Sequence, residues 1–257
     1  MALVTRALAA LVGIAAAMAA AIALGFGAPA AAAPVNLKEA LAARPGEQGR
    51  YGATPQIARY LIDEGGGFVL DRSTKRPLMK FDDSPEIWVL QSAAGPRGDT
   101  IYKNDAGEPM LRATKLGGMT VFTPRRPGGS AASPVGSAQG LRLSSLGPVA
   151  LYKLLFQASV RASRTAQHLI GFEADATPAS DAIIADAAVI VVEAMAAIST
   201  EPEGRSVLRR ITKVSFKEGN RTSVTLQGSV LTITVVPNQG VIGRPSSRRI
   251  LKTAVFR

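Results

Sequence analysis

Cysteine is absent from the 257 residues, and His168 is the one histidine. The first absence removes disulfides, thiolate nucleophiles and thiolate metal sites. The second removes any site built from several imidazoles within one chain. Aromatic residues make up 5%, with Trp88 the one tryptophan. They do not interleave with the basic residues, so a base-stacking nucleic-acid surface has no support and no sequence-specific nucleic-acid partner is expected. The G-x-S-x-G, S-x-x-K, H-E-x-x-H, P-loop and dinucleotide glycine patterns are all missing. No catalytic residue, cofactor or metal is therefore assigned. Acidic side chains are scarce at the carboxyl end. From Gly219 to Arg257 there is no Asp or Glu, against six Lys and Arg.

What is present begins with "MALVTRALAALVGIAAAMAAAIALGFGAPAAAAPVN". Arg6 precedes an apolar run from Ala7 to Phe26, followed by small residues and proline. This is the tripartite layout of an export signal, with Ala30-Ala31-Ala32 as the cleavage motif. Residues 1–32 are expected to be a cleaved signal peptide, which places the protein in the periplasm or outside the cell. The rival reading is an uncleaved anchor, because the run approaches the ~20 residues that span a bilayer. Overall, 30 Lys and Arg face 19 Asp and Glu, a net charge of +11; loss of Arg6 with the leader leaves +10. Such a chain favours anionic surroundings, such as lipid headgroups or acidic glycans.

The fold class expected is α+β: an antiparallel β-rich half of hairpins, packed with a helical pair and a C-terminal β-hairpin. Residues 33–59 read as a short N-terminal helical segment with Leu37, Ala40 and Leu41 on one face, and "ARYLID" as a further helical turn. Residues 60–125 form the β-rich region. "GFVLDR" and "PLMKF" flank a hairpin turn, "EIWVLQS" is a strand, "TIYKN" and "EPMLRAT" are a second hairpin, and "MTVFTP" follows. Residues 126–145, rich in Pro, Gly, Ser and Ala, read as a flexible loop. Residues 146–257 hold the helical pair and the C-terminal strands. The first helix runs from about Gly147 to Ile170; the second starts at Ser180 and is apolar nearly all round, so it should be central. The two strand regions can join into one sheet, making a single domain with 60–125.

Three groups of residues invite a chemical reading. Asp82 and Asp83 stand beside Trp88 in "KFDDSPEIWVL". Neighbouring strand residues point to opposite faces, and Asp-Asp-Ser-Pro is turn chemistry, so the stretch reads as a turn leading to a core strand. Asp186 and Glu193 share one face of the second helix. Ion pairs with Arg164 and Arg161 of the first helix would fix the register of the pair. At the carboxyl end, "GRPSSRR" gathers Arg244, Ser246, Ser247, Arg248 and Arg249. Ser246 could cap a helix whose free amides, with the arginines, bind phosphate or carboxylate. The other reading is a basic tail paired with the chain's own acids. His168 reads as a surface residue at a helix end, and "RGD" at Arg97–Asp99 as a turn.

Together "GGFVLDRS", "PLMKFDDSPEIWVL", "PRGDTIYKNDAGEP", "LRATKLGGMTVFTPRRPGG" and "GRPSSRRI" resemble a family of exported alphaproteobacterial proteins that carry a domain of unknown function. The resemblance covers about residues 60–250. It implies a bacterial source and a periplasmic or secreted location, and transfers no catalytic residue. The function expected is a non-enzymatic envelope protein that binds an anionic partner or supports an assembly. The alternatives are a carboxylate-based hydrolase of envelope polymers and, if the signal is retained, an inner-membrane-tethered scaffold.

Overall fold

The structure is a computed structural model that describes residues 54–256. The leader and the helical spacing at Leu37, Ala40 and Leu41 lie outside the described residues. The described chain is α+β.

Its first part is an antiparallel sheet of nine strands: β1 (Ile57–Ile62), β2 (Gly67–Asp71), β3 (Leu78–Phe81), β4 (Ile87–Val89), β5 (Gln91–Ala94), β6 (Thr100–Lys103), β7 (Pro109–Ala113), β8 (Met119–Thr123) and β9 (Arg126–Ser137). The order across the sheet is β4-β3-β2-β1-β9-β8-β7-β6-β5. Its two edges, β4 and β5, are consecutive in the chain with Leu90 alone between them, so the sheet curls nearly into a barrel. Phe68, Leu70, Met79, Leu90, Leu111 and Val121 are sealed inside, and Tyr60 stacks on Phe68 with ring centroids 5.0 Å apart. Trp88 is half-buried against this core.

Two expectations for this region are corrected. "ARYLID" is not a helical turn but β1, in which Ala58 and Tyr60 point inward while Arg59 and Leu61 point out. The period of two decided it, over a stretch too short to separate the patterns by eye. Residues 126–137 are not a loop but the longest strand, paired with both β1 and β8. Their small side chains suit the inner wall, where Ser130 and Ala132 are buried. The prolines are tolerated where the ladder is irregular: the register slips opposite Arg59 and Tyr60, beside Pro134. Gly129 has φ +88°, and a Cβ there would lie 2.5 Å from Thr120 Cγ2. Only glycine fits.

The second part contains α1 (Pro148–Ala166), β10 (Gly171–Ala174), α2 (Asp181–Thr200), α3 (Gly204–Arg210), β11 (Lys213–Glu218), β12 (Ser223–Gln227), β13 (Val230–Val235) and α4 (Ser247–Val255). The strands form a separate sheet, ordered β10-β11-β13-β12. The two strand regions therefore do not merge into one sheet. β10 lies in what reads as an interhelical loop, and it pairs parallel to β11. Connection through α2 and α3 makes that parallel pairing possible. α2 is apolar and long enough to cross a bilayer, yet Ile184, Ala188, Ile190, Val191, Met195 and Ile198 are wholly buried among the neighbouring helices and this sheet. Each large side chain so withdrawn from water contributes about 1.5–3 kcal/mol, which fixes α2 as the core helix.

Candidate functional site

The segment from Gly243 to Lys252 joins the two parts. A 3-10 turn over Gly240–Gly243 ends in extended backbone at Arg244, and Ser246 then caps α4 by accepting from the Arg249 amide at 3.1 Å. Gly243 is pinned tightly: a Cβ would meet Val236 O at 2.3 Å. The turn thus delivers Arg244 to one place. Arg244 is 4% exposed, and its guanidinium pairs with Asp186 of α2, approaches Glu86 at 3.9 Å, and donates to Ile87 O at 3.0 Å.

The start of α4 meets the rim of the barrel. Ser246 donates its amide to Asp105 at 3.0 Å and its hydroxyl to the same carboxylate. Ser247 donates its amide and hydroxyl to Glu86 at 2.9 and 2.5 Å. Arg248 reaches Glu108 at 3.0 Å, and Lys252 reaches Ala106 O at 2.9 Å. The amides that a free anion would have used are taken by Glu86 and Asp105, so the reading of Ser246 and Ser247 as an open anion site gives way to internal docking. A helix start beside arginines favours negative charge, and Asp105 and Glu86 provide it here. The charge comes from within the chain.

Burial pushes the Glu86 carboxyl up to about 7, against the pull of Arg244 and of the Ser247 hydroxyl and amide, with Asp105 adding to the rise. Glu108 goes the other way. Burial raises it, but hydrogen bonds from Arg248 and Asn104 and the charges of Arg248 and Lys252 hold it below its ordinary value.

Beside this seam lies a cleft of about 410 Å³. Arg76 from the β2–β3 turn, Arg221 from the β11–β12 turn, Arg244 and Arg249 line it, with Ser246 and with Asp105 as the one carboxylate. Arg249 also donates to Thr222, at 3.3 Å to the hydroxyl and 3.4 Å to the carbonyl. Among the described residues Arg76 and Arg221 enter no ion pair, and both are exposed. The volume suits a small ligand or one unit of a polymer. The exposed arginines of this lining, Arg76 and Arg221, are of the kind suited to phosphate or carboxylate oxygens.

The other residues singled out from sequence fall elsewhere. Asp82 and Asp83 stand in the turn after β3, with Asp82 held by Arg59 at 2.7 Å. They border a different hollow with Glu64, which Arg126 holds at 2.7 Å. Arg161 meets Glu193 at 3.1 Å. Arg164 does not meet Asp186, because Arg244 from the far end of the chain occupies that carboxylate. A separation of 58 residues hid this partner. His168 is half-buried rather than free on the surface, its ring nitrogens facing Ala166 O at 3.1 Å and Ile211 O at 2.8 Å. In "RGD", Asp99 is buried against Arg112. Asp82, Asp186 and Glu193 are thus each matched with an arginine.

Glu86, Asp105, Glu108 and Arg76 went unmarked in the sequence. All four sit in or beside hairpin turns, where charge is ordinarily solvated. The signal that could have found them is complementarity between acidic turn tips and an acid-free carboxyl end.

A family model described as a domain of unknown function, DUF4908, matches residues 36–254. The chain belongs to the DUF4908 family. The DUF4908 match takes in both sheets, α1 to α4, the Arg244 seam and the arginine cleft, so the site lies wholly inside the family domain. No curated protein and no solved structure matches this DUF4908 chain.

Proposed function

We propose that this is an envelope protein, delivered to the periplasm or beyond by its leader, that works by binding an anionic group rather than by catalysis. The observation that carries the reading is the cleft, lined by Arg76, Arg221 and Arg249 with the buried Arg244 behind them and by one carboxylate, Asp105. Phosphate-bearing and carboxylate-bearing ligands share the chemistry that such a cleft recognises. Arg76 and Arg221 are the residues to test. Arg244 and Arg248 also hold the seam, and their loss would confuse binding with folding. Calorimetric titration with inorganic pyrophosphate and with oligogalacturonate separates the two sources. Hydrogen bonds to charged groups contribute about 1.5–3 kcal/mol each, so Arg76→Ala with Arg221→Ala should weaken binding at least about tenfold with unchanged melting. Equal affinity of wild type and the double variant for both probes, or binding of neither, refutes the cleft. Intact-mass measurement on protein from its own host tests delivery; full-length material in the cytosol refutes it.

A further inference from the structure

The outer face of α1 is unlike a solvated surface. Val149, Tyr152 and Phe156 are exposed by 83%, 75% and 62%. Helical spacing places Val149, Lys153, Phe156, Val160 and Arg164 along one stripe. The stripe lies opposite Leu151, Leu155, Ala158 and Ala162, which α1 buries. A clustered apolar patch of this kind marks an interaction surface, where single exposed hydrophobics do not.

Charge identifies the occupant. α1 contains no Asp or Glu, and none occurs between Glu108 and Glu173. Among the described residues Lys153 and Arg164 enter no ion pair. A second copy meeting this face would set Lys153 and Arg164 against their own like, with no acid on the helix to compensate. An anionic bilayer supplies what is missing. Its headgroups take the two cations, and the region beneath takes an aromatic and aliphatic stripe lying parallel to the surface.

We infer that α1 is a membrane-surface helix, seated by Val149, Tyr152 and Phe156 in the headgroup layer of an anionic bilayer, with Lys153 and Arg164 on the lipid phosphates. The site is separate from the arginine cleft, none of whose lining residues it shares.

Because the chain has no cysteine, Tyr152→Cys gives a single position for a nitroxide label. Vesicles containing phosphatidylglycerol should slow the label and shield it from water-soluble relaxing agents. Pure phosphatidylcholine vesicles should do neither. Phe156→Glu in the labelled chain should require about tenfold more anionic lipid for the same change, the equivalent of losing one buried aromatic side chain. The label reports α1 itself, so insertion of the apolar leader cannot imitate the result. Phe156 is exposed, so melting should be unchanged; if that variant fails to fold, the contrast between the two vesicle types still decides. Four results would overturn the assignment: a label that stays in water with anionic vesicles; equal uptake by neutral ones; a label already immobilised by protein before lipid is added; or label–label coupling from a dimer. Arg76→Ala with Arg221→Ala should leave the label's response intact, so this assignment and the cleft fail or stand separately.

Discussion

Replacing Glu86 by Gln should flatten the dependence of stability on pH between about pH 5 and about pH 8. In the folded chain the Glu86 carboxyl is raised from 4.5 to about 7, because burial outweighs the pull of Arg244 and Ser247. The folded state then holds this proton more tightly than the unfolded state does. The contribution is complete below the unfolded value and is lost as pH rises through the folded one. Carrying the carboxyl from 4.5 to about 7 corresponds to about 3 kcal/mol. Glutamine keeps an acceptor for the Ser247 amide and a donor for its hydroxyl, but has no proton to lose. Asp71 and Glu108 are both lowered, so their contributions disappear only at acid pH, outside this window. Urea unfolding with linear extrapolation, run on both proteins at several pH values, gives the comparison. The wild type should lose up to about 3 kcal/mol more than the variant on going from about pH 5 to about pH 8. Parallel profiles would show that Glu86 is ionised in the fold and that the reasoning about its burial is mistaken.

Arg244→Met should destabilise by about 3–5 kcal/mol in chemical unfolding at neutral pH, because Asp186 loses its partner and Glu86 its nearest cation; adding Asp186→Asn should recover part of the loss, and a single variant as stable as wild type would contradict the seam. Gly129→Ala should cost at least about 1 kcal/mol by the same measurement, since it combines a left-handed backbone with a Cβ at 2.5 Å from Thr120; a neutral effect would mean that β9 is not held as described.

Much of the fold was legible because periodicity survives without tertiary context. The alternation in β12 and β13 and the apolar wrap of α2 each report their own surroundings. β9 was not legible, because glycine, serine and alanine have the same composition in a linker and in a crowded barrel wall. β10 was hidden because four residues are too few to show a period. In the site, Ser246 as a cap and Arg161 with Glu193 follow from local spacing. The partners of Arg244, Ser246, Ser247 and Arg248 lie 58 to 161 residues away, and no local rule reaches that far. Arg76 belongs to the cleft only through the meeting of two turns that the chain order keeps apart.

The pairing order of the large sheet has a kinetic consequence. Every ladder but one joins strands that follow each other in the chain, and the exception is β1 with β9. Two zigzag meanders, β1 to β4 and β5 to β9, can therefore zip up from short hairpins, each closing only a small loop. They swing together about Leu90, and the entropy of a long-range closure is lost once, at the β1–β9 ladder. On this topology that last ladder is expected to be the slow step of folding, and β9, the longest strand of the sheet and rich in small residues, is the one that completes it.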